Sequence, residues 1–202
     1  MLFRSTFHLR PGLVFSDGTA ITGSDVVRSW LRLIDPSGPS PLASLMSDVV
    51  GADDFRTGRL RDASGVGLSA SGGDVTVRLV RPASDFPAIV AAAPFAVVPK
   101  GITDGSALVP GSRFVASGGY TLAAATPAEL TLRANPRYWA GQPAIATVHL
   151  ALSIGGKSPV QVFADGGLDY TRISTYDASW IRYDPALGPS LRAVRSLSLE
   201  YL

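Results

Sequence analysis

The sequence predicts a mixed α/β fold of the α+β kind, and three observations carry that prediction. Short runs of alternating apolar residues, bounded by Gly or Pro, read as strands with one face toward a core. Thr22 to Asp35 reads as an amphipathic helix whose start and stop are both written in its residues. From Val148 to Ile173, strand, helix and strand patterns follow one another as in a right-handed crossover unit.

The chain opens on a strand, Leu2 to Arg10, followed by turns at Pro11-Gly12 and at Phe15 to Thr19. The Asp17-Gly18 step calls for a residue that tolerates positive φ. Thr22 and Asp25 form a capping-box pattern, and Val26, Val27, Trp30, Leu31 and Ile34 then recur at helical spacing until Pro36 stops the helix. Pro41 to Val50 is expected to be a second, shorter helix, and Val66 to Leu68 a short strand. Ser71-Gly72-Gly73-Asp74 reads as a hairpin feeding Val75 to Leu79. Asp85 to Ala93 is expected to be helical and Phe95 to Val98 a short buried strand. Lys100 to Arg113 lacks periodicity and is the expected boundary between a unit of residues 1–113 and one of 114–202. Beyond it, Tyr120 to Ala124 and Glu129 to Ala134 flank Thr126-Pro127 as a second hairpin, and Asn135-Pro136 begins a turn carrying Tyr138, Trp139 and Gly141. Val148, Leu150, Leu152 and Ile154 share one strand face at period two. Pro159 to Asp165 reads as a helix ended by Gly166-Gly167, and Leu168 to Ile173 as a returning strand.

Composition narrows the function classes. A length of 202 residues fits one large domain or two small ones, and 46% hydrophobic residues argue against a mainly disordered chain. No apolar run approaches a membrane span, and the longest, Phe86 to Val98, contains Pro87 and Pro94. Absence of cysteine removes disulfides, thiolate metal sites and a cysteine nucleophile. The formal net charge of +2 and the scattered arginines give no nucleic-acid footprint. No secretory leader precedes the first strand, and both ends fall inside strand patterns, so the chain reads as a fragment.

No catalytic set assembles from the residues. His8 and His149 both lie in strands, facing away from the apolar stripe, without a second ligand at metal spacing. A serine hydrolase using either histidine lacks its nucleophile elbow, and Gly65-Val66-Gly67 and Gly118-Gly119 are too short for a phosphate loop. Asp53-Asp54 reads as a surface pair, because adjacent side chains point apart. Tyr138-Trp139 reads as a plug at a hairpin end, with a stacking platform as the alternative. No metal and no cofactor is expected.

Phe7-His8-Leu9-Arg10-Pro11-Gly12, then Phe15-Ser16-Asp17-Gly18-Thr19 and the helix from Thr22, form a block that resembles the family-5 extracellular solute-binding proteins. These are the oligopeptide-, dipeptide- and nickel-binding components of ABC importers. Ser40-Pro41-Leu42-Ala43-Ser44, Val98-Pro99-Lys100, Ser117-Gly118-Gly119-Tyr120, Leu132 to Trp139 and Phe163 to Tyr170 continue the likeness in order. The resemblance implies part of a periplasmic-binding-protein type II fold, with residues 1–113 an insert-type subdomain, 114–202 part of the first-lobe core, and the second lobe absent. It implies a non-catalytic receptor outside the cytoplasmic membrane that closes on a solute, most simply a peptide, and hands it to the importer's membrane subunits. A sensor or regulatory module with the same fold is the alternative. Leu42 stands where the family often has an aromatic residue, Gly119 replaces a usual proline, and the arginines of nickel binders are not evident. The implied ligand wall is apolar and lined by main chain: Leu42, Pro94, Phe95, Ser117, Gly118, Gly119 and Tyr120.

Overall fold

The computed structural model describes residues 3–38, 40–101 and 114–194. The expected boundary at 113/114 and the expected strand at the C-terminal end lie outside these residues or at their edge. The chain forms two compact units, Met1–Thr126 with Leu130–Leu150, and Pro127–Glu129 with Ala151–Leu202.

In the first unit, β1 (Phe3–His8) pairs antiparallel with β3 (Asp74–Leu79), which pairs on its other edge with β2 (Leu68–Ser71), giving the order β1-β3-β2. Register follows the side-chain alternation: Phe7 sits opposite Val75 and His8 opposite Asp74. The two-residue turn Gly72-Gly73 closes the β2–β3 hairpin, with Ser71 opposite Asp74. As the central strand, β3 buries Val75, Val77 and Leu79 almost completely.

Helix α1 (Gly23–Leu33) packs on this sheet. Its first residue is a glycine at a close approach, since a Cβ there would stand 3.0 Å from both the Ala70 Cβ and the Gly72 carbonyl oxygen. The capping box is present: the Asp25 carboxylate accepts from the Thr22 N–H at 2.9 Å and its hydroxyl at 2.7 Å. Arg28 Nη2 donates to the same side chain at 2.9 Å. Burial pushes Asp25 upward, but the bonds from Thr22 and Arg28 outweigh it and hold the carboxyl below its ordinary 3.8. A folded-state value below the unfolded one means the stabilisation is complete above about pH 4 and is lost as pH falls through the folded value. Asp25→Asn is therefore expected to cost about 1–2 kcal/mol at pH 7. The gap to wild type should narrow between pH 7 and an acid pH below the ordinary carboxyl range. Urea melts at the two pH values check this.

The core gathers Val26, Trp30 and Leu33 of α1 and Ile34 at its end with Met46, Val49, Phe86 and Phe95. Trp30 is its hub, edge-on to Phe7, Phe86 and Phe95 at 5.9, 6.4 and 5.8 Å between ring centres. Two short helices, α2 (Ala52–Arg56) and α3 (Phe86–Val90), lie along the connections. The second sheet has the order β4-β5-β6, from Tyr120–Ala125, Glu129–Ala134 and Thr147–Ala151, with the β4–β5 hairpin where Thr126-Pro127 predicted it. The second unit carries α4 (Pro159–Ala164) and α5 (Thr175–Ile181).

Four expectations need correction. Pro41 to Val50 forms only a one-turn 3-10 helix, Ala43–Met46. Phe95 to Val98 is not a strand: Ala93–Phe95 is a 3-10 turn, and Phe95 turns inward onto Trp30 while Val97, Val98 and Pro99 pair with side chains instead of a neighbouring strand. Leu168 to Ile173 joins no ladder, so the crossover unit is absent from the described residues. The stripe on β6 is shared as predicted but uncovered, with Leu150 and Leu152 42% and 58% exposed.

Candidate functional site

Five of the seven predicted wall residues fall on two segments that the fold brings together, and a sixth, Tyr120, begins the strand that follows. Segment 94–99 leaves the core at Phe95, whose side chain is buried and whose carbonyl accepts from the Trp30 indole N–H at 3.1 Å. Arg28 on α1 then donates to the carbonyls of Val98 at 2.7 Å and Pro99 at 3.3 Å. The Ser29 hydroxyl accepts from the Val98 N–H at 3.0 Å, so one face of α1 holds the segment through two consecutive polar residues.

Segment 116–119 meets it through Ser117, whose hydroxyl donates to the Val97 carbonyl at 2.7 Å. Ala116 is clamped by Ser16, accepting from its N–H at 2.8 Å and donating to its hydroxyl at 3.0 Å. The Ser16 carbonyl in turn accepts from Arg137 at 2.9 Å. Asn135 fixes the next two residues: its side chain donates to the Gly118 carbonyl at 2.9 Å, and its main-chain N–H donates to the Gly119 carbonyl at 2.8 Å. Tyr120 begins β4, and its hydroxyl donates to the Ile145 carbonyl at 3.0 Å.

The two glycines differ. A Cβ on Gly119 would stand 3.3 Å from Pro143 Cγ and 3.5 Å from the Tyr138 ring, so its back is packed. A Cβ on Gly118 would meet no described atom within 4 Å, and that residue is exposed. The strap is thus anchored behind and open in front. Leu42, the seventh residue, is exposed at the head of the 3-10 turn, with local bonds from its N–H to the Ser40 hydroxyl and from Leu45 to its carbonyl. Pro94 is half-buried, and Phe95 offers only its main chain.

Chemistry-bearing residues sit elsewhere, in structural pairs. His8 Nδ1 lies 2.7 Å from Asp74 Oδ1 on the exposed face of the sheet. Asp53 pairs with Arg56 and Asp54 with Arg59, confirming that the adjacent carboxylates point apart. The Thr19 hydroxyl and N–H hold Asp17 below its ordinary value, with a smaller contribution from Arg137. No group of three or more His, Cys, Asp or Glu that could hold a metal occurs among the described residues. No described helix is long and apolar enough to cross a membrane. Tyr138 backs the strap as a plug would, whereas Trp139 is 53% exposed with the Arg10 guanidinium 4.4 Å above its ring. Two open grooves, of about 780 Å³ beside the outer face of α1 and about 860 Å³ within the second unit, include none of the seven residues.

Sequence reasoning missed the residues that organise the site: Ser16, Arg28, Ser29 and Asn135. Asn135 and Arg137 carried a signal in the Asn-Pro-x-Tyr pattern. The Ser29 and Arg28 contacts with Val98 span about seventy residues and leave no local trace.

Residues 4–198 match the family described as bacterial extracellular solute-binding proteins, family 5, middle region. The periplasmic oligopeptide-binding protein OppA of Salmonella typhimurium is 30% identical over 173 residues, 82% of this chain and 32% of that protein. Among solved structures, the Escherichia coli murein tripeptide binding protein MppA superposes with a TM-score of 0.80 at 22% identity, over 91% of this chain and 37% of that one. Haemophilus influenzae OppA in complex with the peptide RPPGFSPFR gives 0.78 at 25% identity, over 89% of this chain and 37% of that one. The chain thus spans about a third of the length of the curated relatives it matches. The expected mixed α/β fold, part of a solute-binding architecture, is the one observed.

Proposed function

Since this chain belongs to the bacterial extracellular solute-binding proteins, family 5, we propose that it is the first-lobe portion of a peptide receptor serving an ABC importer outside the cytoplasmic membrane. Residues 1–113 then form an insert-type subdomain and 114–202 part of the lobe core. The receptor binds and releases its cargo unchanged, and closure of two lobes on it is what the importer's membrane subunits read. The names of the relatives, an oligopeptide-binding protein and a structure with a bound nonapeptide, support peptide as the cargo.

The observation that carries the reading is the strap at 116–119, tied to segment 94–99 and open at Gly118. A peptide of any sequence presents the same backbone N–H and C=O groups, so a wall of exposed main chain suits a sequence-tolerant peptide site. A glycine at the open point lets a second backbone approach closely. Leu42 and Pro94 add apolar surface without imposing a charge on the side chains of the cargo.

The test is calorimetric titration of the complete gene product with RPPGFSPFR and with unmodified tripeptides. Binding is expected, with a thermal upshift equivalent to about 2.7 kcal/mol at a hundredfold excess of peptide over Kd. A folded protein that binds none of these peptides would overturn the reading.

A further inference from the structure

We propose that Asn135 is the positioning residue of this site, whose buried carboxamide holds Gly118, next to the Gly119 carbonyl that its main-chain N–H holds, in the attitude that presents the strap to the cargo. The inference rests on the reading of segment 116–119 as a ligand wall and assigns the part that makes the wall rigid.

Asn135 is 1% exposed and one of two buried polar residues among those described. Its group is used from both ends: Nδ2 donates to the Gly118 carbonyl at 2.9 Å, and Oδ1 accepts from the Arg137 N–H at 3.0 Å. A planar amide offers a donor and an acceptor in fixed relation. Aspartate would offer only acceptors and set a lone pair against the Gly118 oxygen, and alanine would offer nothing. Without the carboxamide the Gly118 carbonyl loses the side-chain bond that fixes its direction. Pro136 biases Asn135 toward extended backbone.

Every strap residue is anchored. Ala116 is held by Ser16, Ser117 by Val97, and Gly118 and Gly119 by Asn135. Tyr138 and Pro143 crowd the side of Gly119 where a Cβ would stand, which opposes backward movement of a released strap there. Removing the carboxamide therefore loosens the wall at its open point.

The test uses the complete gene product with Asn135→Ala and Asn135→Asp. Asn135→Ser replaces either variant that fails to fold. Val77→Ala, in the centre of the other sheet, supplies a comparable loss of stability away from the strap. Two readouts are taken: affinity for RPPGFSPFR at equal folded fraction, and amide hydrogen exchange of residues 116–120 without peptide. The Asn135 variants are expected to bind about tenfold or more weakly and to exchange faster at 116–120, whereas Val77→Ala changes neither. Unchanged affinity in the Asn135 variants overturns the proposal and leaves the peptide reading intact. If the wild type binds no peptide, the peptide reading falls by itself and exchange decides: faster exchange upholds the positioning role, and unchanged exchange overturns it.

Discussion

Replacing Trp30 by alanine is expected to remove about 3–5 kcal/mol of stability, the cost of truncating a buried aromatic in a core that cannot collapse around the gap. Trp30 is 5% exposed and touches three other rings edge-on, so its loss uncouples Phe7 of the sheet from Phe86 and Phe95 of the connections. Its indole N–H also satisfies the Phe95 carbonyl. Trp30→Phe keeps much of the packing but leaves that carbonyl buried without a donor, and should cost about 1–3 kcal/mol. Since domains of this kind are stable by only about 5–15 kcal/mol, the alanine variant sits near the edge of folding. Urea unfolding of both variants checks the values. A Trp30→Phe variant as stable as the wild type would mean the hydrogen bond to Phe95 contributes nothing beyond packing.

The second large effect is on binding alone. Gly118→Phe should reduce peptide affinity by about a hundredfold or more, nearly 3 kcal/mol, by filling the space in front of the strap. Stability should change by no more than about 0.5 kcal/mol, as for exposed positions without special contacts. No described atom stands in the way of the added side chain, and the backbone at Gly118 lies outside the left-handed region, so the substitution carries no strain. Gly119→Ala is the converse control, because its methyl presses on Pro143 and Tyr138 from behind. Calorimetry and a thermal melt on the same sample separate the two effects. Full affinity in Gly118→Phe would show that the strap is not a ligand wall.

Legibility in the sequence followed the range of the interactions. Helix α1 could be read because Thr22, Asp25 and the apolar period all lie within a dozen residues. Both hairpins could be read because Gly72-Gly73 and Thr126-Pro127 are local turn signals. Helix α5 was missed although Ser174 and Asp177 form a cap at its start, because its seven residues hold too few apolar positions to show a period. Alternation placed Leu150 and Leu152 correctly on one face, but period two says which residues share a face, not whether another layer covers it. Phe95 illustrates the opposite error. Its apolar run resembled a strand, whereas the position is decided by Trp30, sixty-five residues earlier, which takes both its ring and its carbonyl.

The candidate wall divides in the same way. Gly118, Gly119 and Tyr120 were named from a short motif, and the structure shows how they are held. The holders themselves, Ser16, Arg28, Ser29 and Asn135, are ordinary polar residues until the chain folds. Nothing in a serine at position 16 announces a clamp on Ala116, a hundred residues away.

The most direct measurement of the central claim is hydrogen-exchange footprinting of the complete gene product with and without saturating RPPGFSPFR. Bound peptide should slow exchange at residues 95–99 and 116–120, while β1, β3 and the outer face of α1 remain as in the free protein. Peptide binding with protection confined to other regions would contradict the account, because the cargo would then be held by a surface other than the strap that Asn135, Ser16 and Arg28 build.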